Sequence, residues 1–263
     1  MQSEEATNLL TRWFAGVIVL ILADAAQLLF LLPDRTDELW AWEINPELTS
    51  MVLASAYVGG GYFFVRVLFG ASWPRVAPGF PPVILFVWMA AIATFAHLDR
   101  FIEDNLSFAA WIVLYTATPV CIPLLYAYNR RQGPAARGPQ LAPATRRALA
   151  AAGGAIVAGA LVMLAAPQPF IDAWPWTLTP LTARIVAAVL ALYGSVWVSV
   201  ALDGTRTGAR IPLTAHAVGL LFLLVALVAR NADVDWGNPL GPALAAAAAA
   251  MLLASAQLAR RAA

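Results

Sequence analysis

The stretch LWAWEINP, residues 39–46, returns 134 positions later as AWPWTLTP, residues 173–180, with Trp40 aligned to Trp174. The same offset, applied without gaps, aligns residues along the whole chain, mainly prolines, glycines and tryptophans, whose backbone or interfacial roles are hard to replace. The other pairs are Arg12 and Arg146, Pro33 and Pro167, Trp42 and Trp176, Pro46 and Pro180, Gly60 and Gly194, Gly70 and Gly204, Pro78 and Pro212, Asp99 and Asp233, and Leu106 and Leu240. The sequence therefore predicts that residues 1–128 and 147–263 are two copies of one unit.

The composition predicts that a bilayer surrounds the chain. Of its 263 residues, 61% are hydrophobic and 12% are charged, whereas about 25% of residues are charged in a soluble domain. Eight apolar stretches approach the roughly 20 residues that cross a membrane as a helix. They lie near residues 13–33, 46–69, 80–98, 107–127, 147–167, 180–203, 212–230 and 239–259. We predict an all-α integral membrane protein with eight transmembrane helices, four in each repeat.

The first apolar stretch is expected to remain in the mature protein. It is too long for a secretory signal, Glu4 and Glu5 precede it, and no small-residue cleavage site follows it.

The charged residues predict the orientation of these spans. One set of helix ends carries twelve arginines against Glu4, Glu5 and Asp203, and the opposite set carries four arginines against eleven acids. By the positive-inside rule the first set is cytoplasmic, so both termini lie inside, as an even number of spans requires. Four spans in each unit also require both units to enter the membrane in the same sense. The pseudo-twofold axis is then parallel to the membrane normal, and an inverted repeat is excluded.

The segment between the units, residues 129–146, is rich in Pro, Gly and Arg and is typical of a cytoplasmic linker. Its arginines serve as a topology signal or additionally contact anionic headgroups. All 16 positive charges are arginines, which indicates GC-rich coding DNA. We place the protein in the cytoplasmic membrane of a bacterium.

Each tryptophan stretch precedes a predicted helix start. Asn45 and Thr179 are good N-cap residues, and the prolines that follow suit the first helical position; these are Pro46 and Pro180. Gly70 and Gly204 then mark the ends of the same two helices. Both stretches face outward in the predicted topology. Their tryptophans, Trp40, Trp42, Trp174 and Trp176, either anchor in the lipid headgroups or form an aromatic lip around a ligand.

Asp24 is the one carboxylate deep in a span, about 18 Å along the helix from Arg12. Gln27 lies on the same helix face, and we expect this polar face to point into the bundle or into a water-filled cavity. Exposure of a charged Asp24 to lipid costs about 2.5 to 3.5 kcal/mol on insertion scales. The residue is a proton or solute site, or a protonated carboxyl bonded to another helix. The aligned position, Ala158, carries no acid.

A second polar group follows the third span of each unit. His97, Asp99 and Arg100 end one span, and Arg230 and Asp233 end the aligned span. They predict an outer polar cluster, or else ordinary solvated helix ends. His216 is expected at the cytoplasmic start of the seventh span, on the other side of the membrane from His97. A metal or haem shared by the two histidines is therefore not expected.

Other chemistry is limited by the residue inventory. Cys121 is the only cysteine, and the absence of lysine excludes Schiff-base mechanisms. The chain lacks H-E-x-x-H and Walker motifs. Its net charge of +1 does not indicate the basic surface that is typical of nucleic-acid-binding proteins. We predict no cofactor, no metal and no nucleic-acid partner.

Three functional hypotheses remain open. The first is a non-catalytic accessory or binding subunit, in which the tryptophan face and the small-residue fifth and eighth helices meet a membrane protein partner or a second copy. The second is a carrier or channel for a small or amphipathic solute, with Asp24, Gln27 and a fourth helix kinked at Pro119 and Pro123 around a cavity. The third is an outer-leaflet lipid-modifying enzyme that uses His97 and Asp99.

Overall fold

The computed structural model describes residues 7–132 and 138–262, and every regular element among them is helical. Eight helices in this part of the chain are long and apolar enough to cross a membrane. We label them α1 (Leu9–Leu31), α2 (Glu47–Leu68), α3 (Trp73–Phe95), α4 (Leu106–Gln132), α5 (Pro143–Ala165), α6 (Pro180–Asp203), α7 (Arg206–Ala229) and α8 (Leu240–Arg261). The prediction of an all-α protein with eight candidate spans is confirmed.

Three charged residues used to predict the orientation lie outside the described residues. These are Glu4, Glu5 and Arg137. Residues 133–137 of the predicted linker also lie outside them, while α4 and α5 extend into its two ends.

The eight helices form an inner and an outer set. In the most apolar stretch of α6, 72% of the residues are buried, whereas the figure is 22% for α5 and α8. The central helices are α2, α3, α6 and α7, and the peripheral ones are α1, α4, α5 and α8. The peripheral helices expose large apolar side chains, such as Leu20 on α1, Val113 on α4 and Leu253 on α8, as expected of a surface in contact with lipid.

The helices pack in three kinds of pair, each of which occurs twice. Within the halves, α1 packs along α2 and α5 along α6, while α3 contacts α4 and α7 contacts α8. Between the halves, α2 packs against α7 and α3 against α6. The third helix of each half therefore packs against the second helix of the other, so the two halves interlock.

An arginine near the start of the first helix of each half makes the same type of hydrogen bond. Arg12 Nε donates to the backbone oxygen of Leu68 at 3.0 Å, and Arg146 Nε donates to that of Ala201 at 2.9 Å. Each guanidinium thereby satisfies a carbonyl that the end of a helix leaves without an intrahelical partner.

Backbone bonds at the opposite end of the bundle also occur in both halves. The amide of Ile102 donates to the oxygen of Ala41 at 2.8 Å, and the amide of Asp235 donates to that of Pro175 at 2.7 Å. In each half the segment after the third helix is thus joined to the tryptophan stretch.

The predicted ends of α2 and α6 are confirmed at glycine, since Gly70 and Gly204 follow them with φ of +76° and +73°. This left-handed conformation strains residues with a side chain, so glycine stops both helices. Thr179 caps α6 as predicted, its hydroxyl accepting the Thr182 amide hydrogen at 3.2 Å, with Pro180 as the first helical residue.

The prediction that Asn45 caps α2 is wrong. Pro46 occupies the N-cap position and Glu47 begins the helix. The side chain of Asn45 donates instead to Glu43 Oε1 at 2.5 Å, and Asn45 lies one residue before the N-cap position.

The seventh helix starts earlier than its apolar stretch suggests. It begins at Arg206, after Thr205 accepts the amide hydrogen of Gly208 at 3.0 Å, and Pro212 lies inside it. His216 is therefore well inside α7 and not at its cytoplasmic start, which corrects the expectation from sequence.

Candidate functional site

His97 joins the two halves at the end of the bundle that carries the tryptophan stretches. Its Nε2 lies 2.7 Å from Nη1 of Arg184 in α6. Because a guanidinium can only donate, Nε2 accepts this bond and the proton of the neutral ring is on Nδ1. Arg184 is itself positioned by a bond from Nε to the Leu164 oxygen at 3.0 Å.

This contact predicts a pH dependence of stability. Burial, and then the positive charge of Arg184, lower the pKa of His97 from its ordinary value of 6.5, while Asp99 acts in the opposite direction. As pH falls below 6.5 the unfolded chain takes up more protons than the folded one, so stability is lost. We expect the melting temperature to fall on acidification, and to fall less in His97→Gln, which keeps an acceptor but does not titrate. Equal falls in both proteins would contradict this role.

A second polar contact joins the halves at the start of α2. Asp233 Oδ2 accepts the amide hydrogen of Leu48 at 3.1 Å, and Arg230 forms an ion pair with Glu47. A carboxylate at a helix N-terminus satisfies an amide that lacks an intrahelical partner and interacts favourably with the helix dipole. The second half thus supplies the side-chain cap that Asn45 does not.

We expect Asp233→Ala to lower the free energy of unfolding by about 1 kcal/mol, the usual effect of losing an N-terminal cap. The matched control is Asp99→Ala at the aligned position, because Asp99 is exposed and forms an ion pair with its exposed neighbour Arg100 at 3.1 Å. Its effect should stay within about 0.5 kcal/mol. Equilibrium unfolding in mixed micelles measures both, and similar losses would show that the cap contributes nothing specific.

The five polar residues predicted at the outer ends are therefore divided between separate contacts. His97 faces Arg184, Asp99 faces Arg100, and Arg230 and Asp233 face the start of α2. The imidazole lone pair that an enzyme would use as a general base is occupied by the Arg184 guanidinium. This geometry gives no support to catalysis by His97 with Asp99.

The tryptophans of the first half are packed inside the protein. The side chains of Trp40 and Trp42 are only 6% and 2% exposed. The Trp42 ring lies 4.7 Å from that of Trp111 and 5.2 Å from that of Phe101, centre to centre. The prediction that Trp40 and Trp42 anchor in headgroups is wrong, because neighbouring aromatic residues cover them.

The tryptophans of the second half border a cleft. Trp174 and Trp176 line a space of about 390 Å³ together with Asp233 and Asp235. Trp176 also donates from Nε1 to Thr49 in α2 at 3.1 Å, another bond between the halves. The positions aligned with Trp111 and Phe101 are Ala245 and Asp235, so no large aromatic side chains fill this space. An aromatic lip stays a prediction for the second half.

Asp24 and Gln27 lie on the outer surface of α1, and both are exposed. Gln27 donates to the Ala23 oxygen of its own helix at 3.1 Å. The expectation that this polar face points into the bundle or a cavity is wrong. The buried face of α1 is formed by apolar residues and Thr11, so the carrier hypothesis loses its proposed site.

Within residues 7–132 and 138–262, no group of three His, Cys, Asp or Glu side chains is placed to hold a metal ion. From the sequence, His216 was not identified as a buried polar side chain at the centre of the bundle. His216 is 2% exposed and its Nδ1 lies 2.8 Å from Ser255 Oγ. Its position near the middle of α7 is the signal that could have identified it.

Comparison of this chain with protein-family models, with curated proteins and with solved structures finds no match.

Proposed function

We propose that the protein is a non-catalytic accessory or binding subunit of a membrane assembly, and that a second copy docks on the outer face of α1. The observation that carries the proposal is a carboxylate and an amide, Asp24 and Gln27, on a surface that otherwise faces lipid. Ionisable side chains within transmembrane helices almost always face protein or a water-filled cavity, because exposure to hydrocarbon is costly.

The exposed residues of α1 are spaced for helix pairing. Six of the nine exposed residues form one stripe at alternating intervals of four and three residues: Trp13, Val17, Leu20, Asp24, Gln27 and Leu31. This is the heptad spacing of the seam between supercoiled helices, in which a polar residue at one seam position specifies the register. Leu20, at the centre of the stripe, is 74% exposed.

A second copy of α1 provides hydrogen-bond partners for the polar residues of this stripe, so no other protein is required. The Gln27 amide provides a donor and an acceptor, and the Asp24 carboxyl provides acceptors. Two copies of α1 that cross near these residues place Asp24 of one beside Gln27 of the other. Such hydrogen bonds between membrane helices contribute about 0.6 to 2 kcal/mol.

Cysteine cross-linking in native membranes tests the proposed pairing. In a Cys121→Ser background, Leu20→Cys should give a disulfide-linked dimer under mild oxidation. The control is Val113→Cys on α4, which is 67% exposed but is not part of the exposed stripe of α1. No cross-link at position 20, or equal cross-linking at both positions, would overturn the proposal.

Substitution of Asp24 tests the chemistry of the pairing. Asp24→Leu should raise the dimer dissociation constant about 7- to 700-fold, the equivalent of two such hydrogen bonds, because each copy contributes one Asp24, whereas Asp24→Asn should retain the dimer. Single-molecule photobleaching in liposomes at graded protein density measures the constant. A dimer that Asp24→Leu leaves unchanged would show that Asp24 has another role.

We also propose that residues 1–128 and 147–263 are tandem copies of one four-helix unit, related by a pseudo-twofold axis along the membrane normal. The duplicated helix pairs and the hydrogen bonds that the aligned Arg12 and Arg146 donate to the end of a helix support this. The proposed location is the cytoplasmic membrane of a bacterium with both termini in the cytoplasm, which the arginine distribution supports. Fusions of a reporter active on only one side of the membrane test it, and termini on opposite sides would refute it.

A further inference from the structure

A cavity of about 80 Å³ lies among the helices of the first half and the two central helices of the second. Its walls are almost entirely apolar, and the prolines predicted to kink α4 flank part of it, since Thr118 and Ile122 line it on either side of Pro119. Four polar side chains besides Thr118 also line it: Tyr57, Tyr115, Tyr193 and His216. The hydrogen bonds of these four groups determine which ligand the cavity can accept.

The hydroxyl hydrogen of Tyr193 is already used in a hydrogen bond. Ser55 donates to the Val52 oxygen at 2.6 Å, so its oxygen is free to accept from the Tyr193 hydroxyl 2.8 Å away. Tyr193 therefore offers no unpaired hydrogen to the cavity.

His216 does offer one. Trp197 Nε1 donates to Ser255 Oγ at 2.9 Å, and Nδ1 of His216 is the one acceptor described for the Ser255 hydroxyl hydrogen, with Oγ 2.8 Å away. The neutral ring then carries its own proton on Nε2. Nε2 is buried and makes no hydrogen bond of normal geometry to a described residue; the Tyr193 backbone carbonyl interacts with the ring, but outside that geometry. A buried donor without a well-formed hydrogen bond is destabilising unless something binds it.

The Tyr57 and Tyr115 hydroxyls supply a second unpaired donor. Their oxygens are 2.9 Å apart, so one donates to the other. The hydrogen of the accepting hydroxyl has no further acceptor among the described residues. The cavity thus presents two hydrogen-bond donors on otherwise apolar walls.

The side of the cavity between α1 and α4 is the route by which a molecule could enter from the lipid. Among the described residues, α1 and α4 meet where Asn129 donates to Thr11 at 2.7 Å, but they do not pack along their lengths. Side chains of both helices line the cavity behind this gap, including Ile18 and Leu114. His216 lies about 15 Å along α7, near the middle of the bilayer, where a charged headgroup is strongly disfavoured.

We propose that this cavity binds a slender, neutral, lipid-soluble molecule, an alkyl chain with one oxygen that accepts the Nε2 hydrogen of His216. The cavity of about 80 Å³ is smaller than an apolar cavity of about 150 Å³ that binds benzene, so only the oxygen-bearing end of the chain lies inside it and the rest extends between α1 and α4 towards the lipid. The oxygen is inferred from the two unpaired donors. The absence of charge is inferred from the depth of His216 in the bilayer. The site shares no residue with the exposed stripe of α1, so it is independent of the proposed dimer.

Photolabelling of the full-length protein in liposomes tests this site. The probe is an eight-carbon alcohol with a diazirine on the chain, and its control is the diazirine hydrocarbon of the same length without oxygen. The alcohol should label α4 and α7 peptides that line the cavity, in a saturable manner and in competition with octanol. The hydrocarbon should label mainly lipid-facing positions. Equal labelling of the cavity by both probes, or no saturable labelling, would overturn the proposal.

Variants identify the groups involved. His216→Phe should weaken alcohol labelling by about 2- to 13-fold, the range for one hydrogen bond, whereas Tyr193→Phe, which removes a hydroxyl that is already paired, should leave it unchanged. Ala56→Leu, which fills the cavity, should abolish labelling. Melting curves establish whether each variant folds. If His216→Phe does not fold, the Ala56→Leu variant and the comparison of the two probes still test the site. Undiminished labelling in folded His216→Phe or Ala56→Leu would refute the site.

Discussion

Replacing Trp42 by alanine is expected to lower the free energy of unfolding by about 3 to 5 kcal/mol, the range for truncating a buried large aromatic side chain. The ring is 2% exposed and lies against Trp40, Phe101 and Trp111 at centre distances of 4.7 to 6.0 Å. Its removal leaves a cavity between the tryptophan stretch and α4, which rigid helices cannot fill. Equilibrium unfolding in mixed micelles, followed by far-ultraviolet circular dichroism, measures the loss.

The matched control for this substitution is Trp88→Ala. Trp88 is 49% exposed on α3, so its truncation removes contacts with lipid or detergent more than contacts within the protein. We expect a loss of no more than about 1 kcal/mol. If the two variants were equally stable, the aromatic cluster around Trp42 would not be part of the core that holds the first half together.

Gly194→Ala should have the next largest effect, a loss of about 1 to 3 kcal/mol from overpacking. A Cβ at this position of α6 would lie 2.8 Å from the backbone oxygen of Gly153 and 2.9 Å from Cβ of Ile156, both on α5. Backbone atoms cannot rotate away, so the two helices must separate along their interface. Thermal and denaturant unfolding both report this change.

The aligned glycine supplies the control. A Cβ at Gly60 would lie 3.3 Å from Cδ1 of Leu22, the flexible end of a side chain. Leu22 can shift, and alanine is favoured over glycine inside a helix by about 0.5 to 1 kcal/mol. Gly60→Ala should therefore be neutral or slightly stabilising. Equal destabilisation by both substitutions would mean that the α1–α2 and α5–α6 pairs are equally tight, contrary to their packing.

The predicted helix ends were correct where a residue type has a single physical role at a helix end. Thr179 caps α6, and Gly70 and Gly204 end α2 and α6. The prediction failed at Asn45, although its sequence context resembles that of Thr179. The cap of α2 comes from Asp233, 185 residues away in the chain, and no local pattern contains that information.

The prediction for Asp24 failed for a different reason. A polar residue in a soluble helix marks the exposed face, so in a membrane helix we expected it to mark the buried face. Both the interior and the lipid-facing surface of this protein are apolar, however, so hydrophobic periodicity does not distinguish them. Asp24 shares its face with Leu20 and Leu31, which are as apolar as the buried Leu22 and Leu29 on the other side.

The sequence by itself determined the number of helices that can cross a membrane, most of their approximate ends and the aligned positions of the two halves. These depend on the length of apolar stretches and on Pro and Gly, which act over a few residues. Only the tertiary structure decided that the halves interlock, that the Trp42 ring is buried, that α1 presents Asp24 outward and that His216 borders a cavity. Those features depend on which helices are neighbours, and in a uniformly apolar chain neighbours are selected by the close fit of distant residues.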